Sequence, residues 1–209
     1  TLLEVFLKKL TIESPEMIES IIGRIKMMTQ REDVFLFCRD QFCSLMQPLF
    51  NAYPEETAPL ISQALLCMIE AMSQNCEGSS AAVQISENFW ELVVNIFTTF
   101  PESVGSTDLG NACVSLAMEN YTANSFFLKN LDSIAVLLGV ALKFFDEATI
   151  DNLHRVTMEI IRSKISEIDE IPNIVYLLRL ITEFKVEANL ATEEDLRFLD
   201  EAIKSMGKV

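Results

Sequence analysis

The chain has 209 residues, half of them apolar, with 16 Lys and Arg against 31 Asp and Glu, for a formal charge of −15. That apolar content excludes disorder as the main state, because disordered chains carry too few apolar groups to offset the entropy of ordering. The acidity opposes direct contact with nucleic-acid phosphates or an anionic membrane surface, which would need a local basic patch that the sequence does not offer.

Apolar residues recur at spacings of three and four almost everywhere, and only six Gly and six Pro interrupt them. This pattern predicts an all-α fold. A short helix is expected at Leu2 to Leu10. A second follows from Ser14, Pro15 and Glu16, where a hydroxyl cap, a proline that needs no amide donor and a carboxylate at the positive end mark a helix start, and it runs to about Met28. The third, near Glu32 to Ala52, sets Val34, Phe35, Cys38, Phe42, Leu45, Met46 and Leu49 along one stripe, with Pro48 expected to kink or shorten its last turn. Tyr53 and Pro54 close it.

The fourth helix is expected at about Thr57 to Gln74, and the fifth from about Ala81 to Phe100, ended by Pro101. The sixth begins after Ser106 or Thr107 and reaches about Tyr121. An apolar run from Phe126 to Phe145 follows, in which Asn130, Asp132 and Gly139 are candidate breaks. Asp146 is placed to cap the next helix. Pro172 falls in the first turn of another, from about Ile171 to Lys185, and Thr192 with Asp195 forms a capping box for the last, whose buried stripe is read as Leu196, Leu199 and Ile203. Nine or ten helices result. Pairing their starts gives a two-helix unit recurring at roughly 40 to 50 residues, the period of HEAT and armadillo arrays. With no Gly-, Ser- or Pro-rich linker to divide it, the chain reads as one continuous repeat domain, 1–209, with a compact helical bundle as the rival architecture.

Chemistry is sparsely marked. Cys38, Cys43, Cys67, Cys76 and Cys113 form no tight pair and suit reduced, buried thiols. With His154 as the one imidazole, no metal site or other cofactor is expected. His154 is read as a surface or half-buried structural residue, since no partner for general-base work is specified nearby. Asp146, Glu147 and Asp151 are read as complements to a helix N-terminus. No phosphate loop or nucleophile elbow is present, so an ordinary enzyme is not expected. Trp90 is open to two readings, a core residue or an interface anchor. The longest strongly apolar stretch, around Ile134 to Leu142, falls far short of the roughly twenty residues that span a bilayer.

Charge is the most informative feature after helicity. Between Arg39 and Lys129 there is no Lys or Arg, while Asp40, Glu55, Glu56, Glu70, Glu77, Glu87, Glu91, Glu102, Asp108 and Glu119 all lie there. Local i to i+4 pairing cannot neutralise such a stretch, and its field favours a basic partner. Glu70, Glu77, Glu87, Glu91, Glu102 and Asp108 are the residues expected to face that partner.

Three segments carry a family resemblance: Asp40-Gln41-Phe42 through Met46-Gln47-Pro48-Leu49 to Tyr53-Pro54; Phe89-Trp90-Glu91-Leu92-Val93 through Phe100-Pro101-Glu102; and Leu131 to Ile134 leading into Ala141-Leu142-Lys143-Phe144. They are similar to the C-terminal HEAT-repeat region of nuclear transport receptors of the importin-β superfamily, in the importin-thirteen and transportin-SR branch. The resemblance implies part of a superhelical receptor that binds basic protein cargo on its inner helices, without the Ran-binding arch. The chain opens on Thr1, compatible with an excerpt or a processed product. The expected compartment is the cytoplasm, the nucleus or both. The alternative function is an armadillo-like assembly module that dimerises or holds a complex together through an apolar face.

Overall fold

The three-and-four spacing does produce helices. A computed structural model describes Ser20, Gly23, Met27 and residues 32–75, 87–123, 128–164 and 171–206. It contains α1 (Glu32–Ala52), α2 (Pro54–Asn75), α3 (Glu87–Thr99), α4 (Asp108–Ala123), α5 (Leu128–Ala141), α6 (Glu147–Ser163), α7 (Pro172–Glu187) and α8 (Glu193–Ser205), with 3-10 turns at Pro101–Ser103 and Leu142–Phe144. The fold is all-α, with no strand among the described residues. Eight α-helices are described where nine or ten were expected. The helices expected at Leu2 to Leu10 and Pro15 to Met28 lie outside the described residues, save for three single positions, as does the 81–86 opening of the fifth.

The chain divides into two compact units, Thr1–Cys113 and Val114–Val209. In the first, α1 packs against both α2 and α3, and α2 against α3. Its core holds Phe50, Ile61, Leu65, Phe89, Trp90, Leu92 and Phe97, all fully buried. Phe50 meets Phe100 edge to face at 6.2 Å and Phe89 meets Trp90 at 5.4 Å, contacts worth about 0.5–1.5 kcal/mol each beyond the area they bury. Trp90 is thus a core residue, not an exposed anchor. Of the expected α1 stripe, Met46 and Leu49 are buried and Phe42 is half-buried, Leu45 is exposed, and the side chains of Val34, Phe35 and Cys38 lie outside those described; Cys43 and Phe50 are buried beside them. The helix continues through Pro48 to Ala52, and its end is closed by Tyr53 N–H donating to the Leu49 carbonyl at 2.8 Å.

In the second unit α7 is the central element, packed against α5, α6 and α8. Ile174, Leu177, Leu178 and Ile181 supply its buried face, opposite Leu131, Ile134, Leu137 and Leu138 of α5 and Ile150, Leu153, Ile160 and Ile161 of α6. Contact between alternate helices, α1 with α3 and α5 with α7, is compatible with stacked helix pairs. The candidate breaks in α5 do not break it. Asp132 instead caps α7 from outside: its Oδ1 accepts the backbone N–H groups of Asn173 at 2.8 Å and Ile174 at 3.2 Å, and its Oδ2 accepts Asn173 Nδ2 at 2.7 Å. Two orphan donors at the start of α7 are satisfied by a side chain 41 and 42 residues away. The local caps appear as read, with Thr149 N–H donating to Asp146 at 2.8 Å and the Thr192–Asp195 capping box complete.

Two glycines stand at close approaches of different character. Thr107 caps α4 by accepting the Gly110 N–H at 3.0 Å, and a Cβ on Gly110 would run into the backbone carbonyl oxygens of Val104 and Ser103. A Cβ on Gly139 would instead meet the movable tip of Leu180, at 3.2 Å. Gly110→Ala is therefore expected to cost about 1–3 kcal/mol of unfolding free energy, as overpacking against backbone does, and Gly139→Ala clearly less. Urea titrations of the two variants check the order.

Candidate functional site

The residues expected to face a partner fall on several elements of the first unit. Glu70 is exposed on α2, Glu87 and Glu91 are exposed on α3, Glu102 is exposed in the 3-10 turn, and Asp108 is exposed in the first turn of α4. Glu87 and Glu91, four residues apart, share one face of α3. Glu77 lies outside the described residues. Glu55 and Glu56 are exposed at the start of α2, and in the second unit Glu119 is exposed on α4. Eight of the ten carboxylates in the cation-free stretch are thus exposed; the side chains of Asp40 and Glu77 lie outside those described.

A second constellation lies in the other unit, and the sequence reading missed it. Lys185 comes from α7, on the same helical line as the buried Ile174, Leu178 and Ile181. It is itself buried, and its ammonium sits 3.1 Å from Asp151 Oδ1 of α6 and 3.7 Å from Asp195 Oδ2 of α8. Asp195 Oδ1 is 3.8 Å from His154 Nε2. His154 is buried, not on the surface or half-buried, and its Nε2 has no hydrogen-bond partner. Asp195 serves twice: its Oδ2 accepts the Thr192 N–H at 2.9 Å and its N–H donates to Thr192 Oγ1 at 3.2 Å. One carboxylate thus caps α8 and holds a buried cation. Burying an unpaired ammonium costs several kcal/mol, so Lys185 stays inside only because the two carboxylates meet it there.

Electrostatics follow from this placement. Burial lowers the proton affinity of His154, the Lys185 charge lowers it further, and Asp195 and Asp151 only partly offset them, so the imidazole titrates below its ordinary value. For Asp195, burial pushes upward, but the Thr192 hydrogen bonds and the charges of His154 and Lys185 outweigh it and hold the carboxyl below the usual range. The separation of His154 from Asp195 exceeds a hydrogen bond. The group contains two carboxylates, an ammonium and an imidazole, without a nucleophile; His154, Lys185 and Asp195 are buried, and Asp151 reaches them from the exposed side of α6. It fastens three helices together.

This fastening decides how α8 lies. Asp195 and Ala202 are its buried residues, whereas Leu196 is 49% and Ile203 46% exposed, against the expectation that Leu196, Leu199 and Ile203 would be buried together. Leu199 is half-buried. At about 100° per residue, the line through 195 and 202 is one step round the helix from the line through 196 and 203. Drawing Asp195 to Lys185 turns the helix so that the aliphatic line stands at the edge. Beyond the cluster, Arg162 of α6 lies over the Phe198 ring at 4.8 Å and 3.8 Å from Glu194 Oε1. These residues, with Arg197 and Glu201, line an open groove of about 380 Å³.

No family model, curated protein or solved structure matches the chain. Among the described residues no group of His, Cys, Asp and Glu is placed to hold a metal ion, and no helix is long and apolar enough to cross a membrane.

The pH dependence of stability has a definite sign. The unfolded imidazole binds a proton near 6.5 and the folded one only at lower pH, so stability is full above that range and falls as pH drops through 6.5 towards the folded value. Asp195, held low, adds a second loss below about 3.8. Chemical denaturation at pH 7.5 and pH 5.5 is expected to show a drop for the wild type and a smaller drop for His154→Asn. Equal drops would remove His154 from the account.

Proposed function

We infer that this protein is a non-enzymatic helical scaffold that binds a protein partner carrying a basic surface or segment. The observation that supports it is the run between Arg39 and Lys129, which lacks any cation and in which Glu55, Glu56, Glu70, Glu87, Glu91, Glu102, Asp108 and Glu119 are exposed. Exposed like charges repel one another and weaken the compact state, and their combined field attracts a cationic partner and raises its rate of encounter. The resemblance of three segments to nuclear transport receptors of the importin-β superfamily is in keeping with basic cargo as the partner class, and with work in the cytoplasm, the nucleus or both.

A second reading is an armadillo-like assembly module that joins copies or subunits through an apolar face. It is favoured by the aliphatic residues left exposed on α8 and at the end of α7. The two readings differ in their response to salt. Screening shortens the reach of charge from about 10 Å at 0.1 M to about 3 Å at 1 M, which weakens an acidic interface and scarcely touches an apolar one.

The expected outcome is that combined Glu70→Lys, Glu87→Lys, Glu91→Lys, Glu102→Lys and Asp108→Lys changes lower affinity for a polylysine-tagged test protein at least about tenfold and flatten its salt dependence. Titration calorimetry at two salt concentrations reads both quantities. Unchanged affinity and slope would count against the acidic face.

A further inference from the structure

The structure assigns the uncovered aliphatic line of α8 a role of its own: a docking strip for an amphipathic helix of a partner protein that presents aliphatic residues bordered by Lys or Arg. Of the exposed large apolar side chains among the described residues, Tyr176, Phe184, Val186, Leu190, Leu196 and Ile203 belong to α7, α8 and their link. On α8 the strip is built by Leu196 and Ile203, seven residues apart, with half-buried Leu199 between them, the spacing that a partner helix reads in groove-type recognition. It cannot be turned inward, because Asp195, one step round the helix, is held at Lys185.

Charge selects the occupant. Glu193 and Asp200 stand three residues before and four after Leu196, immediately above and below it on the helix surface, and both are exposed. Four acids on α8 are exposed, Glu193, Glu194, Asp200 and Glu201; Glu194 is met by Arg162 of α6 and Asp200 by Lys204, and Arg197 is the third cation beside them, so acids outnumber cations four to three there. At the end of α7, Glu187 and Glu183, the latter paired with Arg179 at 2.8 Å, are exposed beside Val186 too. A second copy of this chain would bring the same carboxylates against them at a net charge of −15 each, which disfavours self-association. A helix bordered by Lys or Arg satisfies both the strip and its rim.

The test uses a fluorescent synthetic helix of leucine and lysine with all leucines on one face, an isomer of the same composition with the leucines scattered, and a leucine–glutamate counterpart, each titrated by anisotropy against the full chain. The facially ordered lysine peptide is expected to bind more tightly than the other two. The double variant Leu196→Ser, Ile203→Ser should weaken it by about tenfold or more through lost apolar burial, and Glu193→Lys should weaken it at low salt. Glu87→Lys with Glu91→Lys, in the other unit, should leave it unchanged, so failure here is distinguishable from failure of the acidic face of the first unit. Circular dichroism confirms that the exposed-site variants keep their helices. Equal binding by wild type and the Ser double variant, equal binding of the leucine–glutamate peptide, or a dimer in sedimentation that the double variant dissolves would overturn the assignment.

Discussion

A lysine on the apolar line of a central helix is the constraint on which the second unit turns. Lys185 lies where an aliphatic residue would be placed by the pattern of α7, and an ammonium there is tolerated only if carboxylates come to it. Asp151 arrives from α6 and Asp195 from α8, so the cation ties both neighbours to α7 at chosen rotations. Apolar burial alone would permit several rotations of an amphipathic helix. The charge removes that freedom, and in doing so leaves Leu196 and Ile203 in water.

The same group shows why a histidine beside an aspartate need not signal catalysis. His154 is neutral at physiological pH because burial and Lys185 both oppose its proton, its Nε2 lacks a partner, and no reacting group shares its enclosure among the described residues. Its effect falls on stability, through the cost of charging it. The proposed functions rest instead on surfaces: an acidic one without cations in the first unit and an aliphatic strip rimmed by acids in the second. The two surfaces suit a protein that works by holding others.

Features set by a few neighbouring residues were legible in the sequence. The Asp146 cap, Pro172 at the head of α7, the Thr192–Asp195 box and the end of α3 before Pro101 each depend on local geometry, and each stands where the residues indicate. What failed to show were contacts made across long separations. Asp132, a candidate helix breaker by type, is occupied in capping α7, and nothing near it in sequence announces the donors. His154 carried no mark of burial beyond its place between Leu153 and Val156. Leu45, Leu196 and Ile203 lie at the edges of apolar stripes broader than the faces their neighbours cover, and width alone does not say which edge is left out. One signal was present: Lys185 interrupts an otherwise aliphatic line, and a charge in such a position asks for a buried counter-charge.

The rotation of α8 can be measured directly. Leu196→Cys and Ala202→Cys, each treated with a brief maleimide pulse under native conditions and located by peptide mass mapping, report which line of the helix meets solvent. A Cys at 196 that labels near the rate of a free thiol, with one at 202 strongly protected, is the result expected if Asp195 holds the helix to Lys185. Protection at 196 with rapid labelling at 202 would mean that the aliphatic line is buried after all, and would contradict the account.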